Sequence, residues 1–150
     1  MEQSEKRRII IVFQLGQEHF GLDIGLVKSI EKVSGITSVP QVNDIILGVI
    51  KLRGGSFPII DLKRRLGLGH TSLSENTKVL FVQIDGANIG LAVDTANDVI
   101  DLGSKSDGFQ IKPFSGPGSE YIEGIAKLDT FVCLLNLKSI LEFDELIDLK

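Results

Sequence analysis

A chain of 150 residues, 43% of them hydrophobic and 24% charged, can build one ordinary domain or two very small ones, which excludes a disordered tail. Its 16 basic and 20 acidic residues give a formal net charge of −4, so no global field favours nucleic acid or an anionic membrane; the clusters Lys6-Arg7-Arg8 and Lys63-Arg64-Arg65 are too short to change that. A polar start and the lack of any apolar run near the roughly 20 residues that span a bilayer predict a cytoplasmic protein, while a single cysteine, Cys133, excludes an internal disulfide and a CxxC-type zinc site.

Ile9 to Leu15 is a largely β-branched run, and Gly16-Gln17-Glu18 turns it into His19 to Ile24, where Phe20, Leu22 and Ile24 share one face at period two. This predicts a hairpin. Val27 to Val33 has apolar residues three apart, a spacing that fits a strand or one helical turn; the expected form is a strand with a short helical turn at its start. After a loop holding Pro40, strands are expected over Ile45 to Leu52 and Phe57 to Ile60, then a brief helix from Leu62 to Leu66 closed by Gly67. Gly69 to Thr77 is polar and reads as a linker.

Beyond the linker the pattern starts again. One constant offset matches Gln14 to Gln83, Phe20 to Ile89, Gly21 to Gly90, Leu22 to Leu91, Ile24 to Val93 and Ile30 to Val99. A second offset matches Gly48 to Gly124, Val49 to Ile125, Lys51 to Lys127 and Leu52 to Leu128, and with one residue fewer Asp61-Leu62 matches Asn136-Leu137. The chain reads as an all-β duplication, with one unit over about 9–68, a linker over about 69–77 and a second unit over about 78–150. Each unit offers about five strands on about 70 residues, near the lower limit for one stable core, so the two are expected to pack side by side as small closed barrels. Gly103 to Ser119, rich in Gly and Pro, is expected to be a long exposed loop, and Leu137 to Ile147 a packed C-terminal helix.

Catalytic signatures are sparse. His19 falls in a hairpin strand and His70 in the linker, and neither forms a metal pair or an evident partnership with Cys133, whose neighbours Phe131, Val132, Leu134 and Leu135 predict a buried apolar role. Gly67-Leu68-Gly69-His70-Thr71-Ser72 lacks the Gly-Lys-Ser/Thr ending of a phosphate loop. Asp85, Asp94, Asp98 and Asp101 show no EF-hand spacing and read as solvated turn or edge residues. No catalytic, cofactor-binding or metal-ligating residue is expected. A small barrel enzyme with an unrecognised carboxylate site, or a β-rich ligand-binding module, are the readings of another class.

Arg53 stands out because a permanently charged guanidinium follows an apolar strand at a Gly-Gly turn. It either caps a barrel by pairing with a carboxylate such as Asp61 or Asp94, or contacts a partner. The duplication places Asp129 at the corresponding position, so the corner can be built without arginine, which favours the partner. Ile24, Val27 and Ile30 either fill the first barrel or form an apolar strip suited to receiving a helix.

Phe13 to Ile24, Gly48 through Asp61-Leu62, and Gly90-Leu91-Ala92-Val93-Asp94 resemble the bacterial chemotaxis coupling proteins of the CheW family, over about Ile9 to Leu141. The resemblance implies two five-stranded SH3-like barrels and a non-enzymatic adaptor linking chemoreceptor cytoplasmic tips to the regulatory domain of the histidine kinase CheA, with a related pathway such as type IV pilus motility as the alternative. It implies a receptor groove at Ile24, Val27, Ile30, Arg53, Val93 and Val99, and kinase contacts at Lys112, Pro113 and Phe114. No cofactor, nucleic acid or direct membrane insertion is implied. The chain departs from the family pattern at Lys51, where asparagine is usual, and at Gly55-Ser56, which replaces a more apolar pair.

Overall fold

Ile9 to Phe13 is apolar without alternation, the mark of a strand covered on both faces. The computed structural model, which describes residues 8–32, 36, 45–52, 54–103, 111–112 and 119–142, shows what covers it. Strands β1 (Arg8–Leu15) and β2 (Glu18–Asp23) form the expected hairpin about Gly16, whose φ of 63° suits a residue without Cβ. A 3₁₀ turn over Ile24–Leu26 leads into β3 (Val27–Lys32), the form expected for that stretch. Then come β4 (Ile46–Leu52), β5 (Gly55–Asp61) and the short helix α1 (Leu62–Arg65). The second half supplies β6 (Lys78–Ile84), β7 (Ala87–Val93), β8 (Thr95–Gly103), β9 (Ile111–Lys112), β10 (Ile122–Lys127), β11 (Phe131–Leu135) and α2 (Leu137–Ile140).

The strands build two sheets, in the orders β8-β1-β2-β11-β10-β9 and β3-β6-β7-β5-β4. This corrects the expectation of two contiguous units over 9–68 and 78–150. The first hairpin, β1–β2, sits in the sheet made by the second half, and its counterpart β6–β7 sits in the sheet made by the first. Replacing each strand by its duplicate (β1 by β6, β2 by β7, β3 by β8, β4 by β10, β5 by β11) turns one order into the other, leaving only β9 unmatched. The correspondence extends to detail. Both sheets contain one parallel pair, β2 with β11 and β5 with β7, and the β3–β6 and β1–β8 pairings both bulge, leaving Lys28 and Asn97 without an opposite residue. Contiguous barrels were expected because the offsets show equivalence but not which hairpin closes which sheet.

Three cores follow from this exchange. Ile10, Val12, Leu102, Ala126, Val132 and Leu134 fill the six-stranded barrel, and Ile50, Ile59, Val79, Phe81 and Ala92 the five-stranded one. Between them lies the largest core, to which both hairpins contribute: Phe13, Leu15, Phe20 and Leu22 from β1–β2, and Leu80, Val82, Ile89 and Leu91 from β6–β7. Alternation along β1 sends Ile10 and Val12 into the barrel and Phe13 and Leu15 into the shared core, so both faces are apolar.

Local chemistry repeats at the strand-to-helix corners. The Asp61 carboxylate accepts from Arg64 N at 3.3 Å to cap α1, and the Asn136 amide oxygen accepts from Ser139 N at 3.2 Å to cap α2. Asp61 N donates to Ile45 O (2.7 Å), and Asn136 N to Tyr121 O (2.8 Å). Asp61 is also buried and accepts from the Thr71 hydroxyl (2.7 Å) and Thr71 N (3.0 Å), anchoring the segment expected to be a polar linker. Two further expectations change. The Gly103 to Ser119 segment contains β9, paired to β10 through Ile125↔Lys112 and Ala126↔Ile111, and the C-terminal helix runs only over Leu137–Ile140 among the described residues.

Arg65, at the end of α1, fastens the two halves together. Its Nε donates to Ile140 O at 2.7 Å, its Nη2 to Glu142 O at 3.1 Å and more distantly to Ser139 O at 3.4 Å, and its guanidinium lies 4.9 Å from the Tyr121 ring centroid. Of these acceptors Ile140 O belongs to the last turn of α2, where carbonyls lack an intrahelical partner, while Ser139 O also accepts from Glu142 N. Arg65→Ala is expected to lose about 2 kcal/mol of stability, the range for charge-assisted bonds that leave acceptors unsatisfied. Arg65→Lys recovers only part of it, because an ammonium lacks the planar fork. Urea midpoints of the three proteins check this.

Candidate partner-binding surface

The pairing registers decide which way the margin residues face. Ile30 lies opposite Leu80, which is buried in the shared core, and Val99 lies opposite Ile11. Directly paired residues share a sheet face, so Ile30 and Val99 both lie on the faces that meet between the barrels. Both occupy edge strands, β3 and β8, and there the core runs out: Ile30 is 40% and Val99 61% exposed. Each strand enters from the shared core, through Val27 and its counterpart Ala96, and leaves with its next same-face residue in solvent. Ile24, in the turn before β3, is exposed to the same 40%.

The expected groove residues therefore divide. Ile24, Ile30 and Val99 expose large apolar side chains, and Val27 is half-buried against the core beneath them. Val93 is corrected: it is fully buried in the shared core, so its side chain packs the interior and presents nothing to a partner. Its counterpart Ile24 is the exposed member of the pair, because the chain turns there into a 3₁₀ element with no buried residue. Arg53, Pro113 and Phe114 lie outside the described residues. Lys112 lies in β9, against β10 at the edge of the six-stranded sheet.

The two carboxylates considered as partners of Arg53 are engaged elsewhere. Asp61 serves Thr71 and the α1 cap, as above. Asp94, expected to be a solvated or Arg53-paired residue, accepts from Lys63 Nζ at 3.0 Å and from Gly16 N at 2.5 Å, tying the β1–β2 turn to α1. Nearby, Asp94 N donates to Gln14 O and the Thr95 hydroxyl to Gln14 Oε1. On another side Arg8 bridges Asp23, at 2.8 Å, and Glu123; partial burial disfavours its charge, but these carboxylates outweigh it and hold its pKa above the ordinary value.

One cavity was not foreseen. The interior of the five-stranded barrel opens between its two edges into a space of about 260 Å³ with Leu52, Phe57 and Phe81 inside and Ser29 and Glu31 at the β3 side. The counterpart of Glu31 in the other barrel is Ile100, which packs on that barrel's core. Only a comparison of the repeats position by position carries that signal.

The titratable groups do not converge. His19 is 2.7 Å from Gln14 Nε2 and His70 contacts the Arg64 guanidinium; Cys133 pairs with Phe20 across β11 and β2, one register step from His19, so alternation turns the two side chains to opposite faces of the sheet. Among the described residues no group of three or more His, Cys, Asp or Glu side chains is placed to hold a metal ion. Cys133 is half-buried, not fully buried as its neighbours suggested, since Phe131 on the same strand is exposed. Burial raises its thiol pKa, with the Glu18 carboxylate adding to the effect. The thiolate is therefore scarcer at neutral pH than in an ordinary cysteine, and alkylation of the folded protein is expected to be slower than that of the urea-unfolded chain. A pH–rate profile with its midpoint at or below the ordinary thiol value contradicts this.

The fold and surface together define a duplicated pair of interlocked β-barrels with an apolar margin where the two meet. The chain belongs to the family of CheW-like domains, whose model matches residues 10–145. It is 31% identical over 141 residues to the chemotaxis protein CheW of Klebsiella aerogenes, covering 91% of this chain and 82% of that one. Similarity to the Bacillus subtilis chemotaxis protein CheW is higher, 40%, but runs over 91 residues, 61% of this chain and 58% of that protein. The crystal structure of the scaffolding protein TtCheW from Thermoanaerobacter tengcongensis superposes with a TM-score of 0.80 at 34% identity, covering 93% of this chain and 90% of that one.

Proposed function

We propose that the chain is a non-enzymatic chemotaxis adaptor that joins the helical cytoplasmic tip of a chemoreceptor to the regulatory domain of the histidine kinase CheA, and is recruited with them to membrane-associated receptor arrays. The observation that carries the reading is the exposed margin formed by Ile24, Ile30 and Val99 where the shared core meets solvent. Exposed apolar side chains on the margin suit the apolar face of an amphipathic helix, and Lys28 and Lys32, exposed on the same strand as Ile30, suit acidic residues flanking it. Family membership supports the adaptor role, and the structurally similar Thermoanaerobacter protein is itself described as a scaffold.

An adaptor works through complementary surfaces, in which a few central apolar and arginine anchors carry most of the binding. Individual contacts can be small and weak, and repetition in an array makes the assembly firm through effective concentration. Arg53 serves as the polar anchor of the receptor contact, and Lys112, Pro113 and Phe114 form the kinase contact. Arg53→Ala is expected to leave the unfolding midpoint unchanged and to weaken binding of a receptor cytoplasmic fragment about tenfold, or about 1.4 kcal/mol. Unchanged affinity in a normally folded variant removes Arg53 from the contact.

A further inference from the structure

The exchange of hairpins within the chain leaves open which molecule supplies each hairpin. Every contact of β1–β2 with the six-stranded sheet is made to the second half: β1 pairs with β8, β2 with β11, Gln14 with Asp94 and Thr95, Gly16 with Asp94, and Arg8 with Glu123. One covalent link joins that hairpin to its own five-stranded barrel, the 3₁₀ turn Ile24–Leu26, which buries no residue and has open space around Gly25. The turn feeds an edge strand, β3, whose first residues can peel from β6 without opening the interior of a sheet.

We infer that a second copy of this chain can supply the β1–β2 hairpin, giving a reciprocal hairpin-exchanged dimer with hinges at Ile24–Leu26. This goes beyond the adaptor reading and does not depend on it. All sheet and core contacts outside the hinge are the same in the monomer and the exchanged dimer, so the two differ in hinge conformation, including the packing of Leu26 on the shared core, and in association entropy. A tether of three residues gives the chain's own hairpin a high effective concentration, so dilute chains fold as monomers. Opening the folded monomer exposes Phe13, Leu15, Phe20 and Leu22, so exchange takes place as chains fold at high concentration, and the dimer then persists on dilution. Because β3 and β8 of each copy stay with that copy, the dimer keeps Ile30 and Val99 together in both margins, while Ile24 moves with the hinge.

The test uses the full chain with Ile9→Cys and Asp101→Cys in a Cys133→Ser background. Ile9 and Asp101 are register partners across β1 and β8, a spacing that a disulfide spans. The protein is unfolded, refolded over a range of concentrations, oxidised and run on a non-reducing gel. An exchanged dimer carries the bond between chains, and its ratio to the intrachain-bonded monomer is expected to rise about tenfold for each tenfold rise in chain concentration during refolding. Intrachain bonds alone at every concentration overturn the inference. So does an equal yield of covalent dimer from either single-cysteine variant, since collision then suffices. If the pair prevents folding, sedimentation of the unmodified chain decides: a dimer that forms on concentrated refolding and survives dilution supports exchange, and a monomer throughout overturns it.

Discussion

Gly90→Ala is expected to cost about 3 kcal/mol of unfolding free energy, the upper end for an overpacked core, and the same change at its counterpart Gly21 about 1 kcal/mol. Both glycines lie on the inner parallel strand pair of a sheet, where a side chain would meet packed neighbours. A Cβ at Gly90 would stand 2.5 Å from Ile59 Cδ1 and 2.7 Å from Val79 Cγ1, and both of those residues are fully buried. Neither can retreat into solvent. At Gly21 the nearest atoms are Ile10 Cδ1 at 3.0 Å, Leu134 Cδ2 at 3.1 Å and Val132 Cγ1 at 3.2 Å, which yield by a few tenths of an ångström. Against a total stability of roughly 5–15 kcal/mol the larger cost is severe. Urea unfolding with an unchanged m-value measures both, and equal midpoints for the two variants contradict the packing described here.

The second large effect belongs to the apolar margin. Ile30→Glu combined with Val99→Glu is expected to weaken receptor-fragment binding at least a hundredfold, about 2.7 kcal/mol or more, because two anchors are lost and two carboxylates enter a dry contact. Stability should fall little, since both side chains are already largely in solvent. Two controls bracket the result. Val93→Ala, in the buried core, should lower stability by roughly 2 kcal/mol while the folded fraction binds normally. Phe131→Glu, equally exposed but at the β10–β11 corner, should leave receptor binding intact. Undiminished binding by the folded double variant places the receptor elsewhere.

Much of this architecture is legible in the chain, for reasons that also mark where legibility stops. Most strands and the first corner helix follow from β-branched runs, alternation and glycine turns, all of which are local. The duplication is visible because equivalent strands need equivalent residues, as at Gly21 and Gly90. The exchange of hairpins is not visible, since a strand apolar on both faces fits either barrel, and only pairing register distinguishes them. Likewise Ile24 and Val93 occupy equivalent positions with similar side chains, yet one is exposed and the other buried, because the chain turns into a 3₁₀ element after the first and continues to Asp94 after the second. Asp94 illustrates the remaining gap: its carboxylate is used by Lys63 and by Gly16 N, partners distant in sequence that no spacing announces.

The central claim is that this chain joins two proteins, and a three-component capture assay tests it most directly. A receptor cytoplasmic fragment is immobilised, and the kinase regulatory domain is passed over it with and without this protein. The kinase domain is expected to be retained only when the protein is present, and retention to be lost with the Ile30→Glu, Val99→Glu variant. Retention of the kinase domain to the same level without the protein, or none with it, contradicts the account.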